Sequence, residues 1–300
     1  VIAVASTKPI PVQRTVLFNT RIDCVTLDQA VDQIFDWIGE YRRADEMELP
    51  ANRYVLTPNV DHVVRLQPNR KRNRSEFSRA YDGASLVVAD GWPIVAASRL
   101  FGPSLPERVA GSDLTPALLS EAADRGGLRL FLLGGMPGVP ELAARRIAEQ
   151  WPQVEVVGIE SPRHGFEQDE QENDRLCRVI SAARPDLLIV GLGSPKQELW
   201  LHRYYDRLDA AVAIGAGATI DFLAGAQIRA PKWVQRIGME WAHRALSDPK
   251  RLGARYARGL FKFPLLCAAE LLNCRRRSIV RVDGTDQDVG ERLRPLRGKA

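Results

Sequence analysis

Short apolar runs alternate along the chain with stretches whose apolar positions recur every third or fourth residue, the pattern of strands followed by amphipathic helices. The extended runs are Tyr54 to Leu56, Leu86 to Ala89, Leu128 to Leu133, Val154 to Ile159, Leu187 to Val190 and Ala211 to Ile214. Most are followed by Gly or Pro and then a helical pattern, which predicts an α/β protein. Val16 to Phe18 and Arg21 to Val25 predict a short ribbon near the start. Thr26-Leu-Asp-Gln29 has capping-box spacing, and Ala30, Val31, Ile34, Phe35 and Ile38 give the following helix one apolar face, with Gly39 as its stop. Glu40 to Glu48, Asn69 to Glu76 and Glu167 to Asp174 read as exposed connections or solvated helix faces. No internal repeat interrupts this order.

Composition narrows the class. The 300 residues are 45% hydrophobic, suited to one α/β domain of roughly 200 to 250 residues plus additions. Cys24, Cys177, Cys267 and Cys274 form no CxxC pair, so neither zinc nor disulfide stapling is indicated and a reducing cytosol fits. Val1 to Val12 lacks the charged and apolar regions of a leader, and nowhere do about 18 apolar residues run on, so neither export nor a spanning helix is expected.

Charge divides the chain in two. Residues 1 to 228 hold 25 Lys+Arg against 30 Asp+Glu, and residues 229 to 300 hold 17 against 7. Within the basic part, Gly259 to Asn273 is apolar but too short to span a bilayer, and is bracketed by Arg251, Arg255 and Arg258 and then by Arg275, Arg276 and Arg277. Such a segment suits an anionic membrane surface, with Pro264 bending or starting a helix; the alternative is a helix packed on the core with a solvated basic flank. Nucleic acid is disfavoured, because the tail lacks interleaved aromatics and the main part is acidic.

Candidate chemistry lies where apolar runs end, since ligands of open parallel sheets bind beyond the carboxyl ends of the strands. Thr57-Pro-Asn59, Asp90-Gly-Trp-Pro93, Gly134-Gly-Met-Pro-Gly138, Gly191 to Glu198 and Gly215 to Asp221 occupy such positions. In the fourth, Gly191 and Gly193 remove bulk so that backbone N–H groups reach an anion, and Pro195 suits a first helical position. An ordinary strand-to-helix turn is the other reading of that segment. There is no Walker A sequence, and the glycine clusters miss GxGxxG spacing, which weakens a dinucleotide cofactor. The sole Asp-x-Asp pair, Asp286-Gln-Asp288, lies beyond the basic helix, and His62, His164, His202 and His243 show no ligand spacing, each reading as structural or exposed. No metal and no cofactor is implied.

These blocks resemble the WecG/TagA/CpsF family of bacterial glycosyltransferases. The resemblance spans roughly Val16 to Tyr256 and rests on Thr57-Pro-Asn59 with Asp61, Ala89-Asp-Gly-Trp-Pro93, Arg108-Val-Ala-Gly-Ser-Asp113, Phe131 to Gly135, Gly191 to Glu198, Gly215 to Phe222, Arg229-Ala-Pro-Lys-Trp233 and Gly238-Met-Glu-Trp241. It implies a Rossmann-like (GT-E type) mostly parallel sheet flanked by helices, with a basic helical C-terminal appendage. It further implies inverting, metal-independent transfer from a UDP-sugar to an undecaprenyl-diphosphate-linked saccharide, at the inner face of the cytoplasmic membrane, in surface or exopolysaccharide synthesis. Carried over by position, Asp90 is the general base, Thr57, Asn59, Arg108 and Gln197 are pocket residues, Gly135, Gly193 and Gly215 bring backbone donors to the diphosphate, and Asp221 meets the nucleoside. Arg244, Arg251 and Arg255 fold over the pocket from the appendage and offset the charge of departing UDP. The expected division is 1–228 for the catalytic domain, 229–278 for the appendage and 279–300 for a disordered tail. The alternatives are a nicotinamide-dependent oxidoreductase and a non-catalytic UDP-sugar scaffold on membranes. Donor sugar and oligomeric state stay open.

Overall fold

The computed structural model describes residues 13–44, 53–67, 75–227, 229–231, 234, 239–247 and 249–282, with side chains at only some positions beyond 240. An antiparallel ribbon, β1 (Arg14–Leu17) and β2 (Thr20–Asp23), precedes α1 (Leu27–Arg43). Both halves of the Thr26 capping box form. The helix passes through Gly39 to Arg43, so Gly39 is not the stop: a glycine inside a helix costs only about 1 kcal/mol, and six buried side chains on α1 outweigh it.

Six further strands, β3 (Arg53–Leu56), β4 (Leu86–Val87), β5 (Leu128–Gly134), β6 (Val154–Glu160), β7 (Leu187–Gly191) and β8 (Val212–Gly215), build one sheet in the order β4-β3-β8-β7-β5-β6. Every neighbouring pair is parallel. The expected strands are therefore present, and only Leu86 to Ala89 is shorter than its apolar run suggests. Between them run α2 (Val60–Arg65), α3 (Glu76–Gly83), α4 (Trp92–Phe101), α5 (Gly111–Glu121), α6 (Val139–Gln150), α7 (Glu170–Ala183), α8 (Lys196–Tyr204) and α9 (Thr219–Leu223).

Alternation along the strands feeds two cores. Val55, Leu130, Leu132, Leu187, Ile189, Val212 and Ile214 face α1, α5, α6 and α9, while Tyr54, Leu56, Phe131, Leu133, Leu188, Val190 and Ala213 face α3, α7 and α8. The chain thus leaves β3 and β7 towards one face and β5 and β8 towards the other. Neighbouring exits diverge at the carboxyl edge, the geometry that opens a ligand crevice in such sheets.

At the opposite, amino edge the sheet is tied by Asp186, which is 2% exposed. Its carboxylate accepts from Arg42 Nε at 2.8 Å, from Arg42 Nη2 at 2.6 Å and from the Arg129 N–H at 2.8 Å, joining the end of α1 to β5 and β7.

The C-terminal part contributes α10 (Glu240–Ser247) and α11 (Pro249–Val282). α11 begins well before Pro264, so that proline does not start it, and the helix runs past the boundary expected at 278. Gly259, Phe263, Leu266 and Cys267 turn inward: a side chain at 259 would meet Val60, and the Phe263 and Phe18 rings meet edge-on with centroids 5.3 Å apart. Leu260, Phe261, Leu265, Leu271 and Leu272 are exposed on the other face. One face thus packs on the ribbon and α2, as the alternative of a helix packed on the core expects, while the other shows apolar side chains outward. Among the described residues no helix is long and apolar enough to cross a membrane.

Candidate active site

The segments singled out at the strand ends lie along one edge, stitched together by hydrogen bonds. The Asp90 N–H donates to Pro58 O at 2.9 Å, and the Val109 N–H donates to Ala89 O at 3.0 Å, so the loop bearing Arg108 lies against the loop bearing Asp90. Thr57 Oγ1 donates to Gly215 O at 3.4 Å, the Ala216 N–H donates to Val190 O at 3.0 Å, and the Gly135 N–H reaches Gly191 O at 3.4 Å. The carboxylate at position 90 and the glycine turns thus share the same side of the sheet.

Asp90 sits where five charged side chains from separate segments meet. Arg108 Nη1 lies 3.6 Å from Asp90 Oδ1 and 3.5 Å from Glu240 Oε2, and Arg108 Nη2 bonds Asp113 in the first turn of α5. Arg229 Nη1 donates to the other oxygen of Asp113 at 2.7 Å and to Ser112 O at 3.1 Å, and its Nη2 stands 3.8 Å from Glu240. Among the described residues the cluster holds three carboxylates and two guanidiniums. Asp113, Arg229 and Glu240 carried no assigned role in the sequence reading. The available signal was that all three fall inside the motif blocks that carry the family resemblance.

The glycines have mixed reasons. At Gly193, with φ +76°, nothing stands within 4 Å of the position a Cβ would take, which suits an open loop with accessible backbone. At Gly191 a Cβ would press on Ile220 and Gly217 O, and at Gly215 it would press on Leu56, so these two are small for packing. Gly215 is buried and its carbonyl accepts from Thr57, while Gly217, φ +49° and unobstructed, holds the open part of that turn. Gly135 packs near Ile220 on α9, which brings Asp221 close to the β5 turn. Asp221 Oδ2 accepts from Gln227 Nε2 at 3.2 Å.

Beneath this edge the polar side chains are buried and mutually bonded. Gln197 Oε1 accepts from the Gly217 N–H at 3.1 Å, and its Nε2 donates to Glu198 Oε1 at 3.1 Å. Gln197 is thus a clamp under the β8–α9 turn. Glu198, buried, stands 3.9 Å from His62 Nε2, and His62 Nδ1 lies 3.0 Å from Tyr81 Oη. His62 is structural, as expected of it. Asn59 Oδ1 caps α2 by accepting from the Asp61 and His62 N–H groups at 3.1 and 3.4 Å. Pro195 is the cap of α8, one position before the first helical residue, and Lys196 pairs with Glu167 at 2.7 Å. That pair, led by the Lys196 hydrogen bond, lowers the Glu167 carboxyl below its usual value.

Arg244, Arg251 and Arg255 lie on α10 and α11, and their side chains fall outside the described residues. Residues 283–300, with Asp286 and Asp288, lie outside them too. Among the described residues no group of three or more His, Cys, Asp or Glu side chains is placed to hold a metal ion.

An open parallel sheet whose strand exits diverge, with charged side chains gathered at the gap, belongs to the Rossmann-like class, in which the fold supplies a cleft and the loops supply the chemistry. Sequence comparison is more specific. Residues 15–277 match the profile of the Glycosyl transferase WecG/TagA/CpsF family, so this chain belongs to that family and is a glycosyltransferase. It is similar to the N-acetylglucosaminyldiphosphoundecaprenol N-acetyl-beta-D-mannosaminyltransferase of Bacillus spizizenii (strain ATCC 23059 / NRRL B-14472 / W23), with 33% identity over 198 residues, 66% of this chain and 72% of the relative. The protein of the same name from Staphylococcus aureus (strain MW2) is 28% identical over 214 residues, 71% of this chain and 80% of the relative.

Proposed function

We propose that this chain moves a hexose, with inversion and without a metal ion, from a UDP-sugar to a polyprenyl-diphosphate-linked saccharide at the inner face of a bacterial membrane, in the synthesis of a surface polysaccharide. The observation that carries this reading is the seat of Asp90: a carboxylate at the carboxyl edge, 3.6 Å from Arg108 and joined through Pro58 and Thr57 to the glycine turns of β8 and β7. The relatives' name points to N-acetylmannosamine as the donor sugar to test first and to diphosphate-linked N-acetylglucosamine as the acceptor.

In this reading Asp90 takes the proton of the acceptor hydroxyl while that oxygen attacks the anomeric carbon. The new C–O bond forms on one face as the bond to the diphosphate oxygen breaks on the other, and the electron pair departs with UDP. A base works here only from within about 3 Å of the hydroxyl, so placement is the fold's contribution. Arg108 orients acceptor hydroxyls or phosphate, Thr57 and Asn59 line the sugar pocket, and Gln197 acts from below by holding the Gly217 turn. Gly135, Gly193 and Gly215 offer backbone donors to the diphosphate, and Asp221 meets the nucleoside. Arg244, Arg251 and Arg255 supply the positive charge that stabilises departing UDP. Residues 229–278 act as the appendage, whose outward Leu260, Phe261 and Leu265 enter an anionic lipid surface beside flanking arginines.

The test is a transfer assay with UDP-N-acetylmannosamine and a polyprenyl-diphosphate N-acetylglucosamine acceptor, following UDP release and product with and without EDTA. Transfer that persists in EDTA is expected, and a requirement for added Mn²⁺ overturns metal independence. A thermal shift with NAD(H) and none with UDP favours the oxidoreductase reading. UDP binding with no release of UDP from any donor favours the scaffold.

A further inference from the structure

We propose that Asp113, in the first turn of α5, is a positioning residue for transfer: its carboxylate fixes the direction of the Arg108 guanidinium and, through it, the seat of the lipid-linked acceptor. This rests on the reading of Arg108 as the residue that orients acceptor hydroxyls or phosphate.

Backbone contacts hold the Arg108 loop without fixing its side chain. The Val109 N–H donates to Ala89 O at 3.0 Å, which sets the loop against the segment bearing Asp90. A guanidinium on a stem of several rotatable bonds keeps many rotamers there, and holding one of them costs entropy that a directed bond has to offset.

Asp113 supplies that bond from a helix. Its N–H donates to Ala110 O at 2.9 Å where α5 opens, so its backbone is set by the helix, and the positive end of α5 favours a carboxylate in the first turn. Oδ2 accepts from Arg108 Nη2, and Oδ1 accepts from Arg229 Nη1 at 2.7 Å. With one oxygen committed to each guanidinium, the carboxylate cannot turn without losing a charge-assisted bond.

Arg229 is anchored in its turn by a carbonyl of the same helix. Pro116 lies inside α5 and has no N–H to return to Ser112 O, four residues earlier. Arg229 Nη1 donates to that oxygen at 3.1 Å, and its guanidinium lies over the Phe222 ring, 5.8 Å from the centroid. The carboxylate of Asp113 is therefore braced on the side away from Arg108. Held at Nη2, Arg108 turns its Nη1 towards Asp90, 3.6 Å from Oδ1, the side on which an acceptor hydroxyl must lie to give Asp90 its proton.

The experiment compares Asp113→Asn, Arg108→Ala and the double variant with the wild-type full chain in the transfer assay, with thermal unfolding as the check that each is folded. Asp113→Asn keeps the shape, removes the charge and sets an amide N–H group against one guanidinium. KM for the polyprenyl-diphosphate N-acetylglucosamine acceptor is expected to rise about tenfold, with KM for the UDP-sugar within about twofold of wild type. Arg108→Ala is expected to raise the acceptor KM about thirtyfold, and the double variant to match it within about twofold, because the aspartate no longer has that guanidinium to orient. Acceptor Kd, titrated in detergent in the presence of UDP, is expected to show the same ratios and does not depend on which sugar is donated. An acceptor KM unmoved in Asp113→Asn overturns the proposal, as does a double variant whose loss is the product of the two single losses. An acceptor KM unmoved in Arg108→Ala overturns the reading of Arg108 and the proposal with it, whereas a raised one beside an unmoved Asp113→Asn removes only the role of Asp113.

Discussion

Two aspartates stand at opposite edges of the same sheet, each beside an arginine, and are treated in opposite ways. Asp186, at the amino edge, is 2% exposed and accepts three hydrogen bonds, from Arg42 and the Arg129 N–H, all within 2.8 Å. Asp90, at the carboxyl edge, keeps 28% of its side chain exposed and meets Arg108 at 3.6 Å. A carboxylate that is buried and accepts several short bonds from the protein holds structure and is out of a substrate's reach. One that stays partly exposed at the carboxyl edge can be reached by a substrate.

Asparagine at either position separates these roles. Asp90→Asn is expected to cost between about 10² and 10⁴ in kcat while the melting temperature stays put, measured by UDP release and by thermal unfolding. Unchanged turnover would break the contrast at its active end. Asp186→Asn should do the reverse, losing about 3 kcal/mol of stability in urea titration because a buried paired charge is removed, with turnover per folded molecule unaffected. A variant as stable as wild type would show that the tie is ornamental. Gln197→Ala sharpens the comparison from beneath the site. It removes the acceptor of the Gly217 N–H and one of the donors to Glu198, and should cost about 1 to 3 kcal/mol, together with a raised KM for the UDP-sugar as the turn loosens.

The smallest effect concerns pH. The Lys196 bond lowers the folded-state pKa of Glu167, so its stabilisation is complete above the ordinary carboxylate range and is lost as pH falls through the lowered value. Between neutral pH and about pH 3, Glu167→Gln should therefore show a shallower fall in melting temperature than wild type, by about 1 °C, the scale of an exposed pair. A steeper fall would mean that Glu167 carries no such load.

Much of the fold is legible in the sequence because its determinants are local. Leu128 to Leu133 and Leu187 to Val190 are apolar runs closed by glycine, and Thr26 to Gln29 caps a helix from four adjacent residues. Gly39 misleads because tertiary burial along α1 exceeds the local cost of one glycine. Asp90 and Arg108 are legible as members of motif blocks, yet their meeting with Asp113, Arg229 and Glu240 is set by the order of strands and by where α10 lands. Periodicity carries no record of either. The purpose of a glycine is equally hidden: Gly191 and Gly193 look alike in sequence, but only the neighbours show that one makes room for Ile220 and the other faces open space.

The seating of α11 on α2 has a mechanical consequence. α11 is 34 residues long, about 50 Å, whereas α2 has 6 residues and its cap is Asn59. Gly259 lies against Val60 in the first turn of that short helix, next to the cap. The long helix is therefore braced against the first turn of the short one, and any change in how it seats there falls one residue from the Asn59 cap.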